Sequence, residues 1–166
     1  MIKRSLLSIH NASLRGFSST ASCLLKVGDS LKHTRIFSNE DLVEYAKVTF
    51  DDNPVHFDTE SARNAGFEDR LVHGMLVSSL FSRILSSNFP GAIHVSQSLH
   101  FKLPVYIGEV IVAEMKAFTL RKINNKYLAK FSARCFKNGD LLALDGETVA
   151  ILPSLAVARA QVHHSE

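Results

Sequence analysis

One short segment, Asp51-Asp52-Asn53-Pro54-Val55-His56, has the residue types of a proton-transfer site. Asp51 precedes His56 by five residues, and the Asn53-Pro54 pair between them is a turn signal that keeps Asn53 out of helical dihedral angles. A proline-stiffened turn can bring a carboxylate and an imidazole toward one point, where they act as a general acid–base pair at neutral pH. Asp51 and His56 are therefore the first candidates for catalysis.

A second candidate segment, His73-Gly74-Met75, stands at the start of a long apolar stretch. The first amide N–H groups of a helix have no intrahelical partner, and the helix dipole favours negative charge beside them. Because Gly74 has no side chain, a ligand oxygen can approach its N–H, as in an oxyanion hole for a thioester or ester carbonyl. His73 itself is expected to be a helix cap or a core histidine, since the Gly74 amide already supplies the donor.

Helices are predicted to hold these two segments. Ser38 is predicted to cap a helix over 39–48 that has acidic residues in its first turn. Residues 51–57 form a predicted loop, and a helix of one to two turns is predicted from Thr59 to a left-handed cap at Gly66. Residues 74–87 are apolar around most of the helix circumference, which is typical of a buried helix.

Beyond residue 92 the hydrophobic pattern changes to the alternation of strands. Extended runs are predicted over 93–103, 108–120, 126–136 and 141–152, and the residues between them have turn chemistry. This pattern predicts an antiparallel meander. One long buried helix wrapped by a curved antiparallel sheet is an α+β arrangement. No element is predicted for 154–166, which lacks a turn signal and a clear apolar face.

The net charge of +3 comes from the N-terminal segment. Residues 1–28 contain four basic residues, six serines and no acidic residue, a composition typical of an organelle transit peptide rather than of an ordinary disordered tail. Arg15 lies three residues before a mitochondrial type of cleavage point between Phe17 and Ser18. The expected organisation is a transit peptide over 1–17, a linker over 18–28, one domain over 29–153 and a C-terminal tail over 154–166.

Composition also excludes several classes of protein. Without residues 1–17 the chain has 16 basic and 16 acidic residues, so no nucleic-acid-binding charge remains. The longest apolar stretch, Leu71 to Leu85, is interrupted by His73, serines and Arg83, and no membrane span is expected. Two cysteines make no disulfide framework, and the histidines lack metal-ligand spacing with cysteine or carboxylate, so no metal site is expected.

Four motifs together resemble the MaoC-like family of R-specific enoyl-CoA hydratases: DDNPVHFD at 51–58, VHGML at 72–76, SQSLHF at 96–101 and PVYIG at 104–108. The resemblance extends over about residues 26–153. It implies a single hot-dog fold and an enzyme that interconverts (3R)-3-hydroxyacyl and trans-2-enoyl thioesters with no metal or organic cofactor. Together with the leader, it implies dehydration of acyl-carrier-protein (ACP) thioesters in type II fatty acid synthesis of the mitochondrial matrix.

The resemblance also implies roles for particular residues. Asp51 and His56 would bind the departing hydroxyl or the attacking water and move the protons, and which of them takes the α-proton stays open. The amide of Gly74 would stabilise the enolate-like thioester oxygen. The substrate-binding residues implied are Asn53, which holds the loop, Met75 and Ser82. The wall of an acyl tunnel is expected from Met75, Leu76, Ser79 and Phe81.

Partners and alternative functions follow from the same reading. A hot-dog unit has an open sheet edge, which favours a two-fold homodimer. An acidic carrier protein needs basic residues at the tunnel mouth, and the candidates are Arg63, Arg70, Lys102 and Arg121. The alternatives are an R-specific hydratase of CoA thioesters in β-oxidation, a hot-dog acyl thioesterase and a non-catalytic acyl-binding module.

Overall fold

The computed structural model describes residues 23–158 and 162–163, so the segment predicted to be a transit peptide lies outside the described residues. Three helices follow the first strand, and further strands complete the described chain. In chain order the elements are β1 (Ser30–Ile36), α1 (Asn39–Thr49), a 3₁₀ turn (Pro54–His56), α2 (Thr59–Asn64), α3 (Gly74–Asn88), β2 (Ile93–Gln97), β3 (His100–Phe101), β4 (Val110–Ile123), β5 (Lys126–Lys137), β6 (Leu141–Leu152) and β7 (Val162–His163).

The strands form one antiparallel sheet in the order β2-β6-β5-β4-β1-β7, and β3 also pairs with β6. The hairpin between β4 and β5 turns at Asn124, whose φ of 52° lies in the left-handed region that asparagine tolerates. Consecutive strands β4, β5 and β6 are neighbours in the sheet, so the predicted meander is confirmed for these three strands. It is wrong for the run over 93–103, because β2 and β3 pair with β6 and the other neighbour of β4 is β1.

Helix α3 packs against β1, β4 and β5. It buries five large apolar side chains, those of Val77, Leu80, Phe81, Ile84 and Leu85. The strands offer small, fully buried residues in return, namely Ala113, Ala117, Ala129 and Ala133. Small residues leave room for the bulky helix side chains, which gives close packing. The predicted α+β arrangement, one buried helix against an antiparallel sheet, is confirmed; in the described ranges no helix has the length and apolarity to cross a membrane.

Two details of the sheet differ from the sequence pattern. Strand β1 is not predicted, because it buries Leu31 but leaves most of its other side chains in contact with solvent, so it has no clear alternation. It forms by pairing with β4 over seven residues. The strand predicted over 93–103 is interrupted after β2, where the Ser98 carbonyl occupies the place that a side chain on Gly146 would take.

The two segments that flank the predicted domain meet each other. The Leu25 amide donates to the Leu155 carbonyl at 2.8 Å, and the Val157 amide donates to the Cys23 carbonyl at 2.9 Å. Leu25 and Val157 both belong to the hydrophobic core. The described parts of 18–28 and 154–166 therefore contribute buried side chains to the same core.

Candidate active site

The loop after α1 presents the Asp51 side chain and is shaped by local hydrogen bonds. Asn53 Oδ1 accepts from the amide of residue 55 at 3.4 Å, and Pro54 opens the 3₁₀ turn that ends at His56. Proline suits this position because its missing N–H would have no helical partner there. The Asn53 amide donates to Asp51 Oδ1 at 3.4 Å. The carboxylate and the imidazole are thus carried by one short, stiff segment, as predicted.

His56 is anchored to the main chain that precedes α3. Its Nδ1 lies 2.8 Å from the Leu71 carbonyl oxygen, and the Leu71 amide donates to the Val55 carbonyl at 3.0 Å. A carbonyl oxygen only accepts hydrogen bonds, so Nδ1 carries the proton, and Nε2 of the neutral imidazole keeps its lone pair. His56 can therefore accept a proton at Nε2.

His73 connects the two candidate catalytic residues. Its Nε2 donates to the Asp51 carbonyl oxygen at 3.1 Å, and its ring stacks on the His56 ring with 3.7 Å between centroids. The side chain is 1% exposed, and its Nδ1 has no hydrogen-bond partner among the described residues. Burial lowers the pKa of His73, which favours the neutral ring. His73 is therefore a buried histidine as expected, but its ring does not cap α3.

The N-terminus of α3 is open to ligands. No side chain caps it, and no acidic residue lies in its first turn. The amides of Gly74 and Met75 are among those that a helix leaves without an intrahelical partner. The Phe101 ring packs on Gly74, and a Cβ at position 74 would lie 2.6 Å from Phe101 Cε1. A side chain at position 74 would therefore displace the Phe101 ring, and it would also hinder the approach of a ligand.

A cavity of about 450 Å³ joins these groups. Asp51, His56, His73 and Gly74 lie on its wall, and most of the other lining residues are apolar, including Leu103. Asp51, His56 and His73 each offer one atom within 4.8 Å of the others. The cavity therefore combines proton-transfer groups and a helix N-terminus with walls that fit an acyl chain.

The expected site residues divide into two groups. Asp51, His56, Gly74 and Met75 line the cavity. Asn53 acts behind it, through its hydrogen bonds in the loop. Ser82 lies eight residues beyond Gly74, about 12 Å along the helix, and its hydroxyl is 3.2 Å from His94 Nδ1. The described lining of the cavity does not include Leu76, Ser79, Phe81 or Ser82. It includes Val77 of the same helix.

The loop before β4 forms one wall and is held by a buried ion pair. Lys137 Nζ contacts Glu109 Oε1 at 3.1 Å and donates to the Pro104 carbonyl at 2.7 Å. Burial raises the pKa of Glu109, but the Tyr106 amide and Lys137 outweigh this effect and leave the pKa lowered. The Val105 carbonyl accepts from the Val72 amide at 2.8 Å, so this loop also positions the chain that leads into α3.

Three contributions to the site are absent from the sequence-based prediction. Phe101 belongs to the SQSLHF motif and to a predicted strand and has no predicted role in the site, yet its ring lies on Gly74 and lines the cavity. Leu71 contributes its main-chain carbonyl oxygen, which accepts a hydrogen bond from the His56 ring. A pattern of side chains in the sequence does not indicate such a main-chain acceptor. His73 touches both Asp51 and His56, and its place directly before Gly74 was the only signal available.

The three ionisable groups also have to be considered as metal ligands, because their donor atoms lie within 4.8 Å of one another. The rings of His56 and His73 are stacked with an interplanar angle of 25°. Nearly parallel rings direct their lone pairs side by side, whereas a metal needs lone pairs that converge on one point. The arrangement suits proton transfer better than metal coordination.

Comparison with known proteins shows the family to which the chain belongs. The family model described as MaoC like domain matches residues 25–132. Over 144 residues the chain is 62% identical to the mitochondrial 3-hydroxyacyl-[acyl-carrier-protein] dehydratase of Arabidopsis thaliana, covering 86% of this chain and 87% of that protein. It is 57% identical over 140 residues to the mitochondrial 3-hydroxyacyl-[acyl-carrier-protein] dehydratase FERN of Solanum lycopersicum, covering 84% and 85%.

A solved structure gives the same result for the fold. The (R)-hydratase from A. caviae involved in PHA biosynthesis superposes with a TM-score of 0.72 at 38% identity, covering 78% of this chain and 98% of that one. The chain belongs to the MaoC-like dehydratase family and has the hot-dog fold that the resemblance implied. The relatives in this family are named as dehydratases and hydratases.

Proposed function

We propose that the chain is a (3R)-3-hydroxyacyl-ACP dehydratase of mitochondrial fatty acid synthesis, which removes water to give a trans-2-enoyl thioester. One observation carries the proposal: Asp51, His56 and Gly74, the first residue of the uncapped helix α3, line one largely apolar cavity, and Asp51 and His56 each offer an atom within 4.8 Å of the other. The names of the relatives at 62% and 57% identity support the same reaction and location. The same site would hydrate enoyl thioesters in the reverse direction.

The Gly74 amide has the role of stabilising negative charge on the thioester oxygen. Removal of the C2 proton moves charge onto that oxygen, and the amide together with the dipole of α3 binds the charged oxygen more tightly than the neutral one. An interaction that strengthens as charge develops lowers the barrier. Met75 would contribute to the wall beside the thioester. Ser82, which is not among the described lining residues and lies 3.2 Å from His94 Nδ1, stays a proposed substrate-binding residue with no contact assigned to it.

Asp51 and His56 have the role of moving protons. The proton on C2 passes to this pair, and the free lone pair on His56 Nε2 is a suitable acceptor. The C3 hydroxyl leaves as water with one proton from the pair, so the C2–H and C3–O bonds break and a double bond forms between C2 and C3. The pair returns to its starting protonation state when the water has formed.

The test is to mix the purified chain with trans-2-butenoyl-ACP or trans-2-butenoyl-CoA and follow loss of the conjugated-thioester absorbance. Chiral chromatography should identify the (3R)-3-hydroxybutyryl thioester. Release of free thiol would indicate a thioesterase, and binding without turnover would indicate an acyl-binding module. A CoA thioester preferred over the ACP thioester would favour the hydratase of β-oxidation.

Matched aspartate variants separate the site from its surroundings. Asp51→Asn should lose at least about 10²-fold in kcat, the usual contribution of a general acid–base group. The exposed neighbour Asp52 does not line the cavity among the described residues, so Asp52→Asn should retain activity within about twofold. Full activity in Asp51→Asn would refute the assigned mechanism.

We also infer cleavage of the leader between Phe17 and Ser18 on import into mitochondria. The support is the composition of residues 1–28 and the mitochondrial names of the two plant relatives. Mass spectrometry of the protein recovered from isolated mitochondria should find Ser18 at the N-terminus. An N-terminus at Met1 in that organelle would contradict the inference.

We further propose a two-fold homodimer with a continuous sheet. Strand β2 ends the sheet order of the described residues, and it exposes Ile93 and Val95 by 51% and 53%. An exposed apolar edge strand is a template for pairing with a second copy. Light scattering should give twice the mass of one chain, and Val95→Lys should shift the protein toward the monomer. A parent protein that is monomeric at micromolar concentration would refute the dimer.

A further inference from the structure

Four basic residues were candidates for contact with the carrier of the acyl group, and the structure separates them. Arg63 Nε donates to the Glu68 carbonyl at 3.3 Å, and Arg70 Nη1 donates to Asn39 Oδ1 at 2.9 Å. Arg121 lies in the β4–β5 hairpin, near its turn. Lys102 is the one of the four that lines the cavity.

The surroundings of Lys102 leave its positive charge uncompensated. Its amide donates to the Ala143 carbonyl at 2.9 Å, which holds its backbone beside β6. The residue is exposed, and its ammonium group makes no ion pair or hydrogen bond with any described residue. Among the described lining residues it is the only lysine or arginine, and Asp51 is the only carboxylate.

Lys102 is an exposed lysine among the lining residues of a mainly apolar cavity, and its positive charge attracts anions that approach the cavity. The acyl thioester itself carries no charge, and the anion nearest to it in the substrate is the phosphate ester of the pantetheine arm. That phosphate is shared by CoA and by the acyl carrier protein.

We propose that Lys102 binds the phosphate of the substrate's 4′-phosphopantetheine arm and is a specificity-determining residue for phosphopantetheine thioesters. The proposal rests on the proposed function for the reaction itself, but not for the binding of the arm. Lys102 follows Phe101, whose ring lies on Gly74, so one short segment would contact the substrate beside the thioester and at its carrier.

The experiment compares two substrates that differ only in the phosphate, trans-2-butenoyl-pantetheine and trans-2-butenoyl-4′-phosphopantetheine. Lys102→Gln should raise KM about tenfold for the phosphorylated substrate, the effect expected for one charge-assisted hydrogen bond, and leave kcat within about twofold. The kcat/KM for the unphosphorylated substrate should not change. Lys102→Arg should restore the low KM, and added salt should raise KM in the parent more than in Lys102→Gln.

The matched control is Lys126→Gln, since Lys126 is an exposed lysine at the β4–β5 turn. It should behave as the parent with both substrates. Equal losses with both substrates in Lys102→Gln, or no loss with either, would overturn the proposal. Butenoyl-CoA and butenoyl-ACP then show whether one carrier depends more on Lys102.

If the chain turns over no thioester, the binding of 4′-phosphopantetheine measured by calorimetry still tests the proposal. The parent should bind it more tightly than pantetheine, and Lys102→Gln should bind the two alike. Equal affinity of the parent for both compounds would refute the role of Lys102. If the parent binds 4′-phosphopantetheine more tightly than pantetheine but turns over no thioester, only the proposed reaction is refuted.

Discussion

The N-termini of α1 and α3 differ in how their first amide groups are satisfied. At α1, the Ser38 hydroxyl oxygen accepts from the Asp41 amide at 3.3 Å, and the Asp41 carboxylate accepts from the Ser38 amide at 2.9 Å. At α3, the equivalent position is His73, whose ring turns away to Asp51 and His56. One helix closes its N-terminus with its own side chains, and the other keeps its N-terminus free.

This difference shows where local stability is given up for a ligand. A side-chain cap is worth about 1 kcal/mol, so an uncapped terminus on the most buried helix costs folding free energy. The cost is acceptable where the free amides meet negative charge that develops on a substrate. Changes at α1 should therefore alter stability, and changes at α3 should alter activity.

The largest effect is expected for Gly74→Pro compared with Gly74→Ala. Proline removes the amide proton but is accepted at the first helical position, and His73 already has the dihedral angles (φ −54°, ψ 124°) of a residue before proline. Both variants add a Cβ against Phe101, so their difference reports the replacement of the amide N–H by the proline Cδ. We expect kcat/KM about 10²–10³-fold lower in Gly74→Pro than in Gly74→Ala, with similar urea unfolding. Equal activity of the two would refute the role of the amide.

A smaller effect on activity is expected for His73→Phe. The variant loses the hydrogen bond to Asp51 but fills the same buried space, and kcat should fall about tenfold. The pKa of His73 is lowered by burial, so below about pH 6.5 the unfolded chain takes up a proton that the folded chain does not. The parent therefore loses stability as the pH falls.

Urea unfolding at pH 7.5 and 5.5 tests this dependence. The free energy of unfolding should fall less between these values in His73→Phe than in the parent, because the variant lacks the titrating group. The ionisable groups that lie against the ring are unchanged in the comparison, namely Asp51, His56 and Tyr45. The same decrease in both proteins would show that His73 does not contribute.

At α1 the expected effect is on stability alone. Ser38→Ala should lower the free energy of unfolding by about 1 kcal/mol, because the Asp41 amide loses its acceptor and the capping box is broken. The kcat should stay at the value of the parent. Denaturant unfolding together with the hydration assay measures both quantities, and a large loss of activity would contradict the division between the two helices.

The smallest effect is expected for Arg35→Gln. Arg35 Nη2 contacts Asp41 Oδ1 at 2.7 Å, but the Arg35 side chain is 47% exposed. An exposed ion pair contributes about 0.2–1 kcal/mol, so the loss of stability should be less than that of Ser38→Ala. The loss of stability in Arg35→Gln relative to the parent should decrease in high salt, and thermal unfolding at two ionic strengths would detect the decrease. A loss larger than that of Ser38→Ala would show that the cap depends on Arg35.

Much of the fold was predictable because its signals are local. The caps and turns of α1, α2 and the Asn53-Pro54 loop depend on residues within a few positions of one another, and they form as predicted except that Asp58, rather than Thr59, caps α2. The apolar circumference of α3 predicts its burial directly. Strand β1 was missed because its side chains are mainly polar and its partner, β4, lies about 80 residues further along the chain.

The sequence by itself determined which groups are available for chemistry: a carboxylate, an imidazole and a glycine at a helix N-terminus, in motifs short enough to identify. Only the tertiary structure decided which residues surround these groups. It stacked His73 on His56, placed Phe101 on Gly74, brought Lys102 to the cavity and left Ser82 beside His94. The physical reason is that contacts between distant segments depend on strand register and helix packing, which no short stretch of sequence specifies.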